Sequence, residues 1–252
     1  MLRLLQSNLS QNNYEYKELH RASKDRNITL IDSWDMDKSE NFDFTINRNY
    51  WEKSIELQSG RQFNKLTDGY FWHDKLRQQH LVVPCKKPRT IFGSYTYVEC
   101  CNLLGCPFVA KQSVSFGGNG VFLIKSQEDF DKALHCNIFQ ECIWTSFGKD
   151  IRVWCLGGKI LGAIKRENNS DFRANMHQGG TCGVYDVDAD IKEIVKEIYK
   201  QTQLDFMGID LLFGKNEYYF CELNVNPGFN GFDKAHGINV ADNMIDYILS
   251  VL

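Results

Sequence analysis

Three oxygen-bearing side chains near the end of the chain have a spacing that suits a cation site. Glu222 and Asn224 are two positions apart in a segment with strand character, so their side chains share one face and Leu223 points to the other. A hairpin with a loop over 214–218 would place Asp210 opposite Glu222, with no cation beside them in the local sequence. Such oxygen ligands suit Mg²⁺, which keeps waters and substrate phosphates as its other ligands. The alternative is a solvated strand face.

A glycine-rich segment in the middle of the chain could bind an anion. Lys111 ends an apolar strand, and the turn SVSFGGNG follows over 113–120. Glycine lets the backbone N–H groups of such a turn approach a phosphate closely. The spacing is neither that of a Walker A loop nor G-x-G-x-x-G, so an ordinary hairpin turn is the alternative.

Basic side chains flank a predicted hairpin in the second half of the chain. They are Lys149, Arg152, Lys165, Arg166 and Arg173. A guanidinium group can bind carboxylate or phosphate through two N–H groups at once. A two-residue turn at Gly157-Gly158 would pair Leu156 with Lys159. That register puts Arg152 and Arg166 on opposite faces unless a bulge intervenes, and a solvated basic face is the alternative.

The composition is that of a globular protein. Of 252 residues, 43% are hydrophobic and 24% charged, which allows one large domain or two small ones. Lys and Arg number 29 and Asp and Glu 32, so the net charge of −3 disfavours nucleic acid as the main partner. No apolar run reaches the length of about 18 residues that a membrane span needs, and no signal peptide is visible. We therefore expect a cytoplasmic protein with no membrane partner.

The nine cysteines are scattered, and no C-x-x-C pair occurs. This pattern predicts free thiols in a reducing cytosol, without a disulfide framework or a zinc site.

Alternating strand and helix patterns predict a small α/β layer at the start of the chain. Strands are expected over 1–5, 28–32 and 42–46, with a helix between the first two, and the polar segment 58–70 is expected to be a linker. Further helices are expected over 73–81, 94–104, 126–134, 190–200 and 239–252. Further strands are expected over 107–111 and 138–143 and in hairpins over 151–164 and 208–224.

Taken together, these segments resemble the RimK-like ligases of the ATP-grasp family. The resemblance rests on Asp74-Lys75, Val83-Pro84, PFVAK at 107–111, SFGGNGV at 115–121 and FQECI at 139–143, followed in the family's order by the segments 148–166, 171–180, 204–213 and 221–241. The pair formed by DFRANMHQGG at 171–180 and ELNVNPGFNGF at 222–232 is the most specific part. The match is strong over 74–252 and weak over 1–73.

The resemblance implies an ATP-grasp fold, in which two α+β subdomains grip ATP. A short N-terminal α/β layer precedes this fold in the chain. The expected domains are an N-terminal domain over 1–73 and an ATP-grasp domain over 74–252, with a lid over about 88–140 and a C-terminal subdomain over 141–252. Family members are often homodimers or homotetramers.

The resemblance also implies an ATP-dependent ligase that joins a carboxylate to an amine through an acyl phosphate. The implied cofactors are ATP and Mg²⁺, for which Mn²⁺ can substitute. The implied substrates are an amino acid such as glutamate and a carboxylate on a peptide, a protein or a small acid. A non-catalytic nucleotide-binding relative and an ATP-grasp kinase are the alternatives.

The family's site residues can be carried over to matching positions of this chain. The implied catalytic residues are Arg173, which would face the γ-phosphate and the acyl phosphate, together with Lys111 and Arg152. The implied magnesium ligands are Asp210, Glu222 and Asn224. The implied nucleotide contacts are Lys75 and Lys111 on the phosphates, Ser115, Gly117, Gly118 and Gly120 in the closing loop, Glu141, Cys142 and Ile143 along the adenine edge, Asp150 on the ribose, and Asn175.

Overall fold

The computed structural model describes residues 2–5, 13–33, 43–48, 61–115, 118–174 and 180–252. Within these ranges the chain forms three β-sheets, of four, four and five strands in sequence order. None of the helices in these ranges is long and apolar enough to cross a membrane.

The first sheet is parallel. Its strands are β1 (Leu2–Leu5), β2 (Leu30–Ser33), β3 (Phe44–Asn47) and β4 (Arg61–Phe63), with α1 (Tyr14–Asp25) after β1. Their order in the sheet is β2-β1-β3-β4. The three predicted strands and the helix are thus present. The predicted linker over 58–70 is wrong in its described part, which contains β4 and the start of α2 (Leu66–His73), because Phe63 and Leu66 are buried anchors.

The second sheet is antiparallel, and we call it the lid sheet. Its strands are β5 (Thr90–Phe92), β6 (Phe108–Lys111), β7 (Val121–Ile124) and β8 (Ile138–Glu141), in the order β5-β8-β6-β7. Helix α3 (Lys75–Gln78) precedes it, and α4 (Tyr97–Leu104) and α5 (Gln127–Lys132) pack on it.

Helix α4 begins later than predicted. Thr96, not Ser94, is its N-cap, because the Thr96 hydroxyl accepts from the Glu99 N–H and the Glu99 carboxylate accepts from the Thr96 N–H. At the other end, Gly105 has a φ of 85° and turns the chain back towards the helix. Cys106 thereby reaches Cys101 and forms a disulfide with a Cα–Cα distance of 5.0 Å. This pair corrects the prediction that all the thiols are free.

The third sheet is antiparallel and has five strands. These are β9 (Lys149–Leu156), β10 (Lys159–Glu167), β11 (Thr181–Tyr185), β12 (Phe206–Phe213) and β13 (Tyr218–Asn224), in the order β11-β10-β9-β12-β13. A 3₁₀ turn (Trp144–Ser146) precedes the sheet, and the helices are α6 (Ala189–Thr202), α7 (Asn230–His236) and α8 (Val240–Val251).

The two faces of the five-stranded sheet have different neighbours, because side chains alternate along each strand. Val153 and Met207 pack with Ile194 and its neighbours on α6. The opposite face is apolar at one end, where Trp154 and Phe206 pack in one core with the N-terminal sheet and α8. At its other end, the same face carries acids, arginines and an asparagine. The N-terminal layer therefore shares a core with the five-stranded sheet, and the polar end of this face lies outside that core.

Candidate active site

A cleft lies between the polar end of the five-stranded sheet and the lid sheet. The sheet and the lid both line it, as does the start of α3. The predicted residues on its walls are Lys75, Lys111, Ser115, Gly118, Glu141, Cys142, Ile143, Asp150, Arg173, Asp210, Glu222 and Asn224. Arg152 lies behind this wall and contacts Asp210. Gly117 and Asn175 lie outside the described residues.

A β-bulge sets the register of the β9–β10 hairpin. Leu156 pairs with Lys159 across the turn, as predicted, but the register shifts between Ile160 and Gly162. Beyond the shift, Asp150 faces Arg166. Arg152 is two positions from Asp150 on the same strand, so the bulge places both arginines on the cleft face.

A second bulge sets the register of the β12–β13 hairpin. Asp210 pairs with Glu222, as predicted, while the next pair is Leu211 with Phe220. The strands are joined by residues 214–217, so the shift comes from the extra residue Cys221 rather than from a five-residue loop. Leu223 is buried on the opposite face, in the core beneath α6.

Asp210 accepts hydrogen bonds from two arginines on neighbouring strands. Arg152 donates from Nε to Oδ1 and from Nη2 to Oδ2, both at 2.6 Å, and Arg166 donates from Nη2 to Oδ2 at 2.9 Å. Burial alone would raise the pKa of Asp210, but the two guanidinium charges outweigh it and hold the pKa well below its usual range. Asp210 is therefore an anion, and the tertiary structure supplies the cations that its local sequence lacks.

Glu222 and Asn224 present the oxygen atoms that a divalent cation would use. The Nδ2 of Asn224 donates to Glu222 Oε1 at 3.4 Å. The amide oxygen of Asn224 is not used in this hydrogen bond. A carboxylate has about four lone-pair positions, and the two arginines occupy three of those on Asp210. One position on Oδ1 remains, so all three predicted residues fit Mg²⁺. No group of three His, Cys, Asp or Glu side chains forms a metal site within the described residues, so the set depends on the asparagine.

Lys75 and Lys111 bring two buried ammonium groups to the cleft. Each is 7% exposed. Lys75 Nζ donates to Ser115 O at 3.2 Å and to Ser115 Oγ at 3.1 Å, and it lies 3.8 Å from Glu222 Oε2. Lys111 Nζ lies 3.9 Å from the thiol of Cys221, a weak acceptor and its only hydrogen-bond partner within the described ranges. A bound anion would therefore improve the solvation of both lysines.

Arg173 connects the two walls of the cleft. Its guanidinium donates to both oxygens of Asp171, at 3.0 and 2.8 Å, and to Gly118 O at 2.8 Å in the glycine-rich turn of the lid. Gly120 serves the turn differently, because a Cβ there would lie 2.6 Å from the Cβ of Ser115. Gly120 is thus needed for close packing of the turn, while Gly118 faces the cleft.

Comparison with known proteins shows which family has this architecture. Residues 89–248 match the family model of the RimK-like ATP-grasp domain. The chain belongs to the RimK-like ATP-grasp family. A relative in Haemophilus ducreyi, a probable alpha-L-glutamate ligase, is 27% identical over 209 residues, which cover 79% of this chain and 68% of that protein. A Legionella pneumophila protein of the same name is 35% identical over 152 residues, which cover 57% of this chain and 50% of that protein.

A solved structure with the same fold is the ATP-grasp ligase PsnB complexed with a phosphomimetic variant of its minimal precursor, Mg and ADP. Its TM-score is 0.74 at 12% identity, and the alignment covers 99% of this chain and 97% of that one. The likeness confirms the predicted ATP-grasp fold. The family and its named relatives also agree with the predicted class of enzyme, a ligase that forms carbon–nitrogen bonds.

In this RimK-like chain, the segment after β8 that is predicted to contact adenine lines the cleft. The Glu141 side chain accepts from the backbone N–H and the Nε of Arg89, and the Ile143 carbonyl accepts from the Ser146 N–H. Cys142 lines the cleft, and none of the backbone hydrogen bonds of the turns and loops in the described residues involves it. Burial raises the pKa of the Cys142 thiol, which keeps it protonated.

Asp150 lies in a different environment from the one that a ribose-binding role requires. Both of its oxygens accept from Arg166, at 2.7 and 2.6 Å, and the residue is 8% exposed. The Asp150 carboxylate therefore fixes the guanidinium of Arg166, which lies beneath the cleft and contacts Asp210. The geometry gives the ribose role no separate support.

Sequence reasoning missed two residues that organise the site of this RimK-like protein. Arg166 was one of several hairpin cations, and only the bulge directs it to Asp210. Gln78 ends α3, is 2% exposed, and pairs with both backbone groups of Leu223 at 2.8 Å. A lone glutamine in a short helix gives no signal in the sequence.

Proposed function

We propose that the protein is an ATP-dependent ligase that activates a carboxylate with ATP and joins it to an amino acid, with L-glutamate as the amine. The name of the curated relatives supports the choice of glutamate. The chain spans about two thirds of the Haemophilus protein and half of the Legionella protein. The observation that carries the proposal is that two buried lysines, Arg173 and the oxygen donors Glu222 and Asn224 line a single cleft.

The two lysines would bind the phosphates of ATP. Both ammonium groups are held at low exposure, where their charge acts more strongly than in water. Lys75 is held by Ser115, so a phosphate bound to Lys75 would also contact the glycine-rich turn. Phosphoryl transfer needs positioning and charge neutralisation more than covalent help, and these residues supply both.

Glu222, Asn224 and the remaining position on Asp210 would hold Mg²⁺, and Mn²⁺ offers the same preference for oxygen ligands. When bound, the ion would neutralise charge on the phosphates and orient them. Arg152 and Arg166 keep Asp210 ionised and fixed in place before any ion arrives.

Arg173 would stabilise the phosphoryl group as it moves to the substrate carboxylate. A planar guanidinium can contact two of the oxygens over which the charge is spread. Its bond to Gly118 holds the turn of the lid against the cleft, which would exclude water. The acyl phosphate requires this protection, because water would hydrolyse it before the amine attacks.

The experiment measures ADP release with Mg²⁺, L-glutamate and candidate carboxylate acceptors, and identifies the product by mass. An added glutamyl unit is expected; a stable added phosphate on the acceptor would instead indicate a kinase. Glu222→Ala removes one ligand without touching the apolar face, so ADP release should fall by about two orders of magnitude or more while the unfolding temperature is retained. Normal ADP release by folded Glu222→Ala would refute the assigned cation site.

A further inference from the structure

A buried arginine lies outside the residues that line the cleft and has no ion-pair partner among the residues that the structure describes. Arg48 directly follows β3 and is 5% exposed. Its Nη2 donates to Pro227 O at 3.4 Å, and its guanidinium carbon lies 5.5 Å from the centre of the Phe229 ring. Its Nη1 is buried and has no hydrogen-bond partner among the described residues. Burial lowers the pKa of Arg48 to about 10, which still leaves it charged at neutral pH.

The nearest candidate anion already has other partners. Among the described acids, Glu15 is the one whose charge acts favourably on Arg48. Its Oε1 accepts from the backbone N–H groups of Phe229 and Asn230, at 3.0 and 3.4 Å. Glu15 thus caps the start of α7 rather than pairing with the guanidinium. Within the described part of the chain, the positive charge of Arg48 therefore has no direct counter-ion.

The position of Arg48 in the fold is where a substrate would be expected. In open sheets of parallel strands, ligands bind beyond the carboxyl ends of the strands, and Arg48 occupies that end of β3. The turn that it contacts, Pro227–Phe229, continues directly from Asn224 and Asn226 on the cleft wall. Arg152 borders the same turn, because a Cβ on Gly208 would lie between Pro227 Cβ, at 2.8 Å, and Arg152 Cδ, at 3.5 Å.

We propose that Arg48 binds a carboxylate group of the substrate, through Nη1, at the junction of the N-terminal sheet and the Pro227–Phe229 turn. The inference rests on the proposed function, since a ligase that uses glutamate handles substrates with carboxylates that do not react. The phosphates of ATP are assigned to Lys75, Lys111 and Arg173, which line the cleft, whereas Arg48 does not line it. The bound carboxylate belongs to the amino acid or to the acceptor that is joined to it.

Two variants separate a binding role from a structural one. Arg48→Met keeps the length of the side chain and removes a buried, unpaired charge, so the free protein should unfold at an equal or higher temperature. The matched control is Arg26→Met, because Arg26 is paired with Asp242 and Asp246 at 2.7 and 2.5 Å. That variant should lower the unfolding temperature and leave substrate binding unchanged.

Binding is measured by calorimetric titration of the protein, loaded with ADP and Mg²⁺, with two probes. These are free L-glutamate and a short peptide that ends in glutamate, and the probe whose affinity falls at least tenfold in Arg48→Met identifies the source of the carboxylate. Arg48→Lys, which keeps a charge, should lose less. Equal affinity of wild type and Arg48→Met for both probes, or binding of neither, would overturn the inference, as would a lower unfolding temperature without loss of binding.

The outcome is independent of the test of function. ADP release that proceeds with an unchanged KM for glutamate and for the acceptor in Arg48→Met would refute this inference and leave the ligase proposal intact. Probe binding that depends on Arg48, in a protein that releases no ADP with any acceptor, would refute the ligase proposal alone.

Discussion

At the scale of single residues, Arg173 joins the two walls of the cleft and is the predicted catalytic cation. Its guanidinium is paired with Asp171, yet it also reaches the carbonyl of Gly118 on the opposite wall. The pairing raises the pKa of Arg173 through the hydrogen bonds to Asp171, so its charge is permanent. A solvent-exposed ion pair would need no contact across the cleft. Arg173 is thus a residue of the cleft wall, and its catalytic role stays a prediction.

We expect Arg173→Ala to lower kcat by roughly 10³-fold with little change in ATP affinity, because Lys75, Lys111 and the metal ligands hold the ground state. Arg173→Lys should restore little of the lost kcat, because an ammonium group cannot donate the two parallel hydrogen bonds of a planar guanidinium. Steady-state ADP release and nucleotide titration measure the two effects. Arg21→Ala, which removes an arginine on α1 with three carboxylate contacts outside the cleft, is the control. An unchanged kcat in both Arg173 variants would leave the catalytic cation unassigned.

At the scale of elements, the outer edge of strand β13 is held at Leu223 by the side chain of Gln78 and at Phe220 by the backbone carbonyl of Lys86. Gln78 donates to Leu223 O and accepts from Leu223 N–H, as a strand partner would, and it also donates to Trp72 O at 2.7 Å. Leu223 lies between Glu222 and Asn224, the two proposed cation ligands of β13. Because α3 also carries Lys75, this short helix fixes the lysine that we propose to bind phosphate relative to both of them.

We expect Gln78→Met to raise the Mg²⁺ concentration required for half-maximal ADP release by about tenfold or more, the usual effect of removing a residue that orients metal ligands. Gln201→Met is a matched control, because Gln201 pairs in the same way with both backbone groups of Val82, away from the cleft. Both variants should lose some stability in thermal unfolding, but only the first should change the metal requirement. The same requirement in both variants would make Gln78 purely structural.

At the scale of the whole molecule, the N-terminal layer is joined to the C-terminal helices by buried polar contacts. Asp233 on α7 accepts from Tyr14 Oη on α1 and from the Val240 N–H, both at 3.0 Å. Burial raises the pKa of Asp233 to about 6, against the effect of these hydrogen bonds, and the charges of Glu18 and Glu15 add to the rise. The folded protein therefore binds this proton more tightly than the unfolded chain, whose aspartates titrate near about 3.9.

The sign of the pH effect follows from this difference. The stabilising contribution of the protonated group is complete below about pH 4 and is lost as the pH rises through about 6. We expect the free energy of unfolding of Asp233→Asn to fall less than that of the wild type between pH 5 and pH 7.5, because the amide does not ionise. Urea unfolding of both proteins at pH 5 and at pH 7.5 gives the four free energies of unfolding that this comparison requires. Parallel pH profiles would show that Asp233 has an ordinary pKa.

Much of the site follows from the sequence, because the side-chain period of a strand is a property of the backbone itself. The spacing of Glu222 and Asn224 put both on one face, and the hairpin placed Asp210 opposite Glu222, as the structure has them. The motifs of the glycine-rich turn and of residues 171–180 and 222–232 were specific enough to indicate the family, and the family model confirms it. These inferences needed only local geometry and short-range pairing.

Only the tertiary structure decided which strands are neighbours and where a register shifts. A bulge needs one extra residue and no particular composition, so the sequence could not show that Arg166 turns onto Asp210. Strand β4 and helix α2 resembled a linker, because they are short and are held by contacts with distant residues such as those of Asn64 with Phe206 and Val225. For the same reason, the sequence could not indicate the roles of Gln78 and Arg48. Their roles depend on which backbone or charge lies beside them after folding, and no local spacing encodes that.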